Sequence, residues 1–339
     1  MQRGISVIIC CYNSSWIIQR TLEGLKRQNV PTDLSWEIVL VNNNCTDDTV
    51  SVATETMKES NLDFTIVEEK KSGLSNARRK GIDTVRYDIV LYCDDDNVLC
   101  QDYVITMYRI MRSDSSIGAA GGKGIAEFMQ EPESEVLKHL KLYAVGSQLD
   151  GRKDWLYGAG LTLRTELVKD VYYKQKCYLI GHKENQLLSG DDSELVMSMV
   201  NRGYRIKATD DVFYIHVLKA DRLTNEYYEK LHEGIMLPHV VFESMNAAMY
   251  GTGFKKIAKK YAILWLVYVK YCIIRWKPWS AEQRMILMKE LRRYNYWNIF
   301  TLYRIYLEWK KINKLYHSGS KNFNCYNKLQ QCSRTETYN

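Results

Sequence analysis

The sequence predicts an α/β fold with a mostly parallel central sheet flanked by helices, followed by a helical C-terminal extension. Three observations predict it. Short apolar runs alternate with amphipathic helical stretches through the first hundred residues, which is the pattern of a parallel sheet covered on both faces. Only four prolines occur in 339 residues, so no Pro-rich linker divides the chain. Beyond residue 250 the strand pattern gives way to long segments rich in Lys, Tyr and Trp.

The elements follow in order. ISVIICC (5–11) is wholly apolar, as a strand buried on both faces must be. SSWIIQRTLEGLKRQN (14–29) places Ile18, Leu22 and Leu25 on one helical face behind a candidate serine N-cap. WEIVLVN (36–42) is the second strand, and Thr46 or Asp47 is placed to cap the helix after it. DFTIVEE (63–69) is a third strand, NARRKGIDTV (76–85) a helix and YDIVLYC (87–93) a fourth strand. Length allows two domains, or one domain with an extension.

Bulk properties narrow the classes. The nine cysteines are scattered without a C-x-x-C pair, so neither a zinc framework nor a disulfide scaffold is expected, and a reducing compartment is. The start, MQRGISVIICCY, enters a strand too early to read as a secretory signal. The net charge of +7 hides an asymmetry. Residues 251–339 carry 18 Lys/Arg against 4 Asp/Glu, net +14, while residues 1–250 carry 29 against 36, net −7. A basic tail piece on an acidic body calls for an anionic partner.

The fourth strand runs straight into Asp94, Asp95 and Asp96. Neighbouring carboxylates raise one another's cost of ionisation unless a cation neutralises them. A solvated turn is one reading and a cation site the other. Ligands of open parallel sheets bind beyond the carboxyl ends of the strands, where this triplet lies. Mg²⁺ or Mn²⁺ is commonly held by one or two carboxylates together with substrate phosphates. The turn after the first strand, CCYNSSW, has no glycine, and no G-x-x-x-x-G-K-[ST] occurs. A dinucleotide-binding dehydrogenase and a P-loop kinase are both disfavoured.

Five segments in order resemble the family 2 glycosyltransferases of GT-A fold. They are ISVIICCYN, VNNNCTDDT (41–49), SGLSNARRKGI (72–82), YCDDDN and LSGDDSELVMSMVNRGYRI (188–206). The resemblance runs from about residue 4 to about residue 225. It implies a Rossmann-like catalytic domain at 1–225, with a nucleotide-binding half at 1–115 and an acceptor-binding half at 116–225. Asn42 stands where the family usually has aspartate, Arg79 where asparagine is common, and Asp191 where glutamate is usual.

The resemblance implies roles. Asn42 or Asn43 would contact the nucleotide base, or else form an Asx-turn before the next helix. Tyr12 would stack on the base or pack in the core. Arg78 would meet a pyrophosphate oxygen or orient a site carboxylate, and Gly73 would serve loop geometry. Asp96 would be the direct metal ligand, Asp94 a second ligand or a ribose contact, Asp95 a ribose contact, and Asn97 a support for a carboxylate. Asp192 would be the catalytic base, with Asp191 on the acceptor side, although Asp191 or Ser189 can equally be a plain helix cap. His216 would be a further metal ligand or pair with the diphosphate. Arg222 and Lys219 would cover the diphosphate on a loop. In WLYGAGLTLRTEL (155–167), Trp155, Gly158 and Gly160 would face the acceptor, the alternative being a closely packed strand.

The reaction this implies is metal-dependent inverting transfer from a nucleotide-sugar, UDP- or dTDP-linked by preference, to a hydroxyl of a saccharide or lipid-linked saccharide. Surface polysaccharide or glycolipid assembly is the implied setting. The alternatives are a metal-dependent nucleotidyltransferase, which has no need of the acidic segment at 191–194, and a non-catalytic scaffold docking partners through basic helices.

Residues 255–276, KKIAKKYAILWLVYVKYCIIRW, hold an uninterrupted apolar run only from 261 to 269, too short to span a bilayer. Its Trp, Tyr and Lys suit a helix lying at an interface, so a cytoplasmic protein attached peripherally to the inner face of the membrane is expected. Packing on the protein itself is the alternative. One further helix is expected at 280–316 and a polar, disordered tail at 317–339. No nucleic-acid module is recognised, so a nucleic acid is not expected as partner.

Overall fold

The computed structural model describes residues 1–151, 154–179, 190–274 and 280–317. The expected disordered tail, beyond His317, and Ser189 lie outside the described residues. The chain forms two compact units, Met1–Val200 with Tyr204–Ile235, and Asn201–Gly203 with Met236–Asn339.

In the first unit the order is β1 (Gln2–Cys11), α1 (Ile18–Lys26), β2 (Trp36–Asn42), α2 (Thr49–Met57), β3 (Phe64–Glu68), α3 (Leu74–Thr84) and β4 (Tyr87–Asp94). Then come β5 (Asn97–Leu99), α4 (Tyr103–Ser113), β6 (Ile117–Phe128), α5 (Ser134–Lys138), β7 (Thr162–Arg164), α6 (Thr165–Lys174), α7 (Asp191–Asn201), β8 (Arg205–Leu218) and α8 (Asn225–Met236). The eight strands form one sheet in the order β3-β2-β1-β4-β7-β6-β8-β5. β1 pairs in parallel with both β2 and β4, and β2 with β3. β7 is antiparallel to both β4 and β6, while β6 and β8 are parallel.

The alternation of side chains along β1 divides the core between the sheet's two faces. Ile5, Val7 and Ile9 join Ile18, Leu22 and Leu25 of α1, Met57 of α2 and Met107 of α4. Ile8 joins Val39, Val90, Ile82 of α3, Val168 of α6 and Leu195 of α7 on the other face. Both faces are therefore covered, and the polar ends of the strands are left for ligand.

One local expectation changes and another stands. The chain turns before α1 begins at Ile18, so Ser14 makes no side-chain cap; its carbonyl receives the Ile17 and Ile18 N–H groups at 3.0 and 2.9 Å. Asp47 does bind a first-turn amide, accepting from Thr49 N at 3.1 Å.

The second unit holds α9 (His239–Met249), α10 (Lys255–Ile274), α11 (Ala281–Trp297) and α12 (Ile299–His317). The helix expected over 280–316 is two helices. Asn298 adopts φ +56 between them, a left-handed conformation that asparagine tolerates at helix ends. Its side chain then accepts Phe300 N at 2.8 Å to start α12. Buried Val241 and Met245 of α9, and Leu302, Ile305 and Trp309 of α12, form the inner faces of these neighbouring helices. Among the described residues no helix is long and apolar enough to cross a membrane.

Candidate active site

β1 is parallel to β2 on one side and β4 on the other, so the loops at their carboxyl ends leave in opposite directions. That crevice is the place where such sheets bind ligands. Tyr12 stands there, 54% exposed, and is no part of the core. Asn42 and Asn43 end and follow β2. Asn42 donates to both oxygens of Glu68, at 3.0 and 2.9 Å, and accepts Cys45 N at 2.9 Å. Asn43 donates to the Glu69 and Lys71 carbonyls, at 2.8 and 2.9 Å, and accepts Gly73 N at 2.9 Å. Both amides stitch the loop after β2 to the loop after β3. Gly73 carries φ +119, which suits glycine.

The aspartate triplet spans the turn from β4 to β5. Asn97 of β5 lies opposite His216 of β8, and Val217 N donates to the Asp96 carbonyl at 3.0 Å. This register brings His216 to Asp96: Nε2 is 3.5 Å from Oδ1. Arg222 Nη1 is 3.0 Å from the other oxygen of Asp96. Ser14 Oγ donates to the Asp95 carboxylate, and Thr21 Oγ1 to the Asp95 carbonyl at 2.7 Å. Asn97 Nδ2 donates to Asp96 Oδ1 at 3.1 Å. The three carboxyls are not shifted alike. Burial, then Asp96, pushes Asp95 up; burial also pushes Asp94 up, against the pull of Arg78. For Asp96, burial is outweighed by His216 and Arg222, which hold it ionised.

Arg78 joins this triplet to the acidic segment that opens α7. It comes from α3, is 4% exposed, and lies 3.1 Å from Asp191 and 3.7 Å from Asp94. Its guanidinium also sits 4.9 Å over the Tyr92 ring, and the Tyr92 hydroxyl is 3.4 Å from that of Tyr172. Ser75 Oγ reaches the same Asp191 oxygen at 3.3 Å. Asp192 is pushed above the usual carboxylate range by burial and then by Asp191, against the pull of Arg78. One of its oxygens accepts Ser193 N at 2.7 Å.

The glycine loop before β7 packs onto this cluster. A Cβ on Gly158 would overlap the Asp192 carboxylate and come within 3.1 Å of Arg78. Gly160 serves packing: it has φ +68, a Cβ there would overlap the Tyr103 hydroxyl, and its carbonyl accepts that hydroxyl at 2.9 Å. Trp155 sets its ring edge-on to Tyr157 at 4.9 Å. Lys219 lies 4.3 Å over the Trp16 ring.

The structure thus brings Arg78, Asp94, Asp191, Asp192 and Gly158 together, and joins them through the triplet to Asp96, His216 and Arg222. Sequence reasoning missed Ser14, Tyr92 and Glu194. Glu194 is 1% exposed and accepts Tyr178 N and Leu179 N at 2.9 and 2.8 Å, which pins that segment to α7. An acidic residue inside the buried run SELVMSMV was the available signal.

Could these residues hold a divalent cation? Among the described residues no three His, Cys, Asp or Glu side chains form a ready-made metal cage. The donor set nevertheless fits a hard cation that completes its shell with phosphate oxygens. Asp94 and Asp96 supply carboxylates, and the buried Asn97 Oδ1 has no partner. His216 Nδ1 is 2.8 Å from the Tyr143 carbonyl. A carbonyl only accepts, so Nδ1 carries hydrogen and Nε2 faces Asp96 either protonated or as a lone pair.

A sheet of this order, with a carboxylate turn at its switch point and an acidic helix start linked to it, has the architecture of the GT-A fold. Residues 6–156 match the sequence model of glycosyl transferase family 2. The chain is similar to the poly-beta-1,6-N-acetyl-D-glucosamine synthase of Staphylococcus aureus, with 26% identity over 205 residues, 60% of this chain and 47% of that protein. It is 32% identical over 120 residues to the synthase of the same name from Staphylococcus epidermidis, covering 35% of this chain and 28% of that one. The chain therefore spans about half, or less, of the length of the curated relatives it matches. Among solved structures, S. aureus TarS in complex with UDP-GlcNAc shares the fold, with a TM-score of 0.51, 15% identity, and coverage of 94% of this chain and 93% of that one.

Proposed function

We propose that this glycosyltransferase moves a sugar from a nucleoside-diphosphate donor to an acceptor hydroxyl with inversion at the anomeric carbon, and that Asp192 is the general base. One observation carries the reading: Arg78 ties Asp94, on the donor side, to Asp191, the neighbour of the base. Asp94 comes from the expected nucleotide-binding half, 1–115, and Asp191 from the expected acceptor-binding half, 116–225, so on this reading the guanidinium holds the two halves in register.

The acceptor oxygen attacks the anomeric carbon while its proton passes to Asp192. The bond from that carbon to the diphosphate oxygen breaks, and its electron pair leaves with the nucleotide. Base assistance of this kind is worth about 10²–10⁴ in rate. Burial favours the protonated form of Asp192, which makes its carboxylate a stronger base than an exposed one. Arg78 is enclosed by carboxylates and an aromatic ring, so its role is to orient rather than to grip phosphate. Arg222 is placed to exchange its hold on Asp96 for a diphosphate oxygen. Asp94 and Asp96, with His216 Nε2 beside them, would hold Mn²⁺ or Mg²⁺, which supplies charge neutralisation for the departing diphosphate. Tyr12 is exposed for stacking on the base, with Asn42 and Asn43 shaping the loop around it.

The named relatives make an N-acetylglucosamine polymer, so UDP-GlcNAc is the first donor to try, with a saccharide or lipid-linked saccharide as acceptor. The setting follows as polysaccharide assembly on the cytoplasmic side of a membrane, whose anionic lipid attracts the basic C-terminal piece.

Thermal stabilisation by UDP, dTDP, GDP and CDP, each with Mn²⁺ and with a chelator, tests the donor site. One nucleotide stabilising only with metal is the expected result. No shift with any of the four would overturn the reading.

A further inference from the structure

We propose that the exposed faces of α10, α11 and α12 form a docking surface for an anionic lipid bilayer. This deepens the peripheral placement given above and is independent of the catalytic assignment.

Large apolar side chains are exposed unevenly. Of the twenty exposed ones among the described residues, twelve fall between Ile263 and Tyr316. Their spacing is regular. On α10, Lys259, Ile263, Leu266 and Val269 recur at helical spacing, and Leu266 is 64% exposed. On α12, Phe300, Tyr303 and Leu307 make the same stripe, and Phe300 is 79% exposed. Exposed Arg304, Lys311 and Lys314 continue along that helix. Between α10 and α11 lies a groove of about 520 Å³ lined by Trp265, Tyr268, Met285, Met288, Lys289 and Arg292. A folded monomer seldom leaves such a concentration of apolar surface uncovered without a partner for it.

Charge identifies the partner. The segment from residue 251 onward is net +14, and its cations are interleaved with the exposed Leu, Ile, Phe, Tyr and Trp. Aromatic and aliphatic side chains that enter the headgroup layer, beside Lys and Arg that meet lipid phosphate, are what an interfacial helix requires. A second copy of this chain docking through the same face would bring the same positive charge against it and be repelled. Among the described residues no helix is long and apolar enough to cross a membrane, and the contact proposed is one of lying on the surface.

The test is co-sedimentation of the full chain with vesicles of phosphatidylcholine alone, or of phosphatidylcholine with phosphatidylglycerol, at low and high salt. Binding to the anionic vesicles, weakened by salt and at least tenfold weaker on the neutral ones, is expected. The double variant Leu266→Glu, Phe300→Glu changes two side chains that already face water, so its fold should survive. Its nucleotide-induced thermal shift should match that of the unaltered chain. Its partition onto anionic vesicles should fall about tenfold or more. The proposal is overturned if the full chain stays in the supernatant at low salt, if neutral vesicles bind equally well, or if the variant binds unchanged. It is also overturned if light scattering shows a dimer that the variant dissolves and that binds no vesicles. Failure of donor binding would leave these results untouched, and the reverse holds too.

Discussion

Arg78 Nη1 lies 3.1 Å from Asp191 Oδ2, joining α3 to the first turn of α7 across 113 residues of chain. The guanidinium is buried, and it serves Asp94 at 3.7 Å as well. Removing one member of a buried ion pair leaves the others charged and unpaired, at a cost of about 3–5 kcal/mol. Arg78→Ala should therefore lower stability by about that amount and remove activity together. Urea unfolding measures the first. A loss below about 1 kcal/mol would mean that water already solvates these carboxylates.

Asp192→Asn should separate chemistry from binding. Transfer should fall by about 10²–10⁴, while nucleotide still stabilises the protein. If donor affinity fell in parallel, Asp192 would be part of the donor site and some other group would be the base.

The pH dependence follows from the same carboxyl group. Burial and then Asp191 lift Asp192 to about 6. A base acts only when deprotonated, so kcat/KM should climb as pH rises through about 6 and level off above it. The stability sign is opposite. A raised carboxyl favours the protonated folded state, so its contribution is present at low pH and lost as pH passes its folded value. Asp192→Asn should accordingly melt higher than the parent at pH 8 and no higher at pH 4. A flat rate profile between pH 5 and 8 in the parent would remove Asp192 from the role.

Gly158→Ala tests the packing of the glycine loop. The new methyl would overlap the Asp192 carboxylate and approach Arg78 within 3.1 Å. The carboxylate must shift, and a displacement of about 1 Å can cost on the order of 10² in rate. Transfer should drop steeply, with the melting temperature lowered by far less than Arg78→Ala lowers it. Activity near that of the parent would show that Asp192 has room to move.

The first half of the fold was legible because each element announces itself locally. ISVIICC and YDIVLYC can only be buried strands, and β1 and β4 occupy them. The position of the aspartates beyond β4 followed from strand direction alone. What could not be read were relations between distant residues. Nothing in the local pattern of Thr162–Arg164 says that it inserts antiparallel between β4 and β6. The periodicity of 14–29 suggested Ser14 as a cap, but Asp95, 81 residues away, claims its hydroxyl. Gly158 read as an acceptor-side loop residue, and only the fold shows that its missing side chain also makes space for Asp192. Glu194 lay inside a segment already singled out, and only the fold reveals that its carboxylate is buried against two backbone amides.

His216 offers the sharpest test of the metal. Its Nδ1 is 2.8 Å from the Tyr143 carbonyl and its Nε2 is 3.5 Å from Asp96. The carbonyl compels Nδ1 to donate; Asp96 pulls the ring toward its protonated form against burial, and a neutral ring would instead turn a lone pair toward that carboxylate. Two electron-rich atoms stay that close only with a proton or a cation to share. His216→Asn keeps a short amide donor for Tyr143 and deletes Nε2. If a cation is shared, the Mn²⁺ concentration that gives half-maximal stabilisation by nucleotide should rise roughly 10–100-fold, as when an orienting partner of a metal site is lost. Titrating Mn²⁺ at fixed nucleotide in a thermal-shift assay reads that change. An unaltered Mn²⁺ requirement would leave the ring with a proton to share and a structural role, and the cation with Asp94 and Asp96 alone.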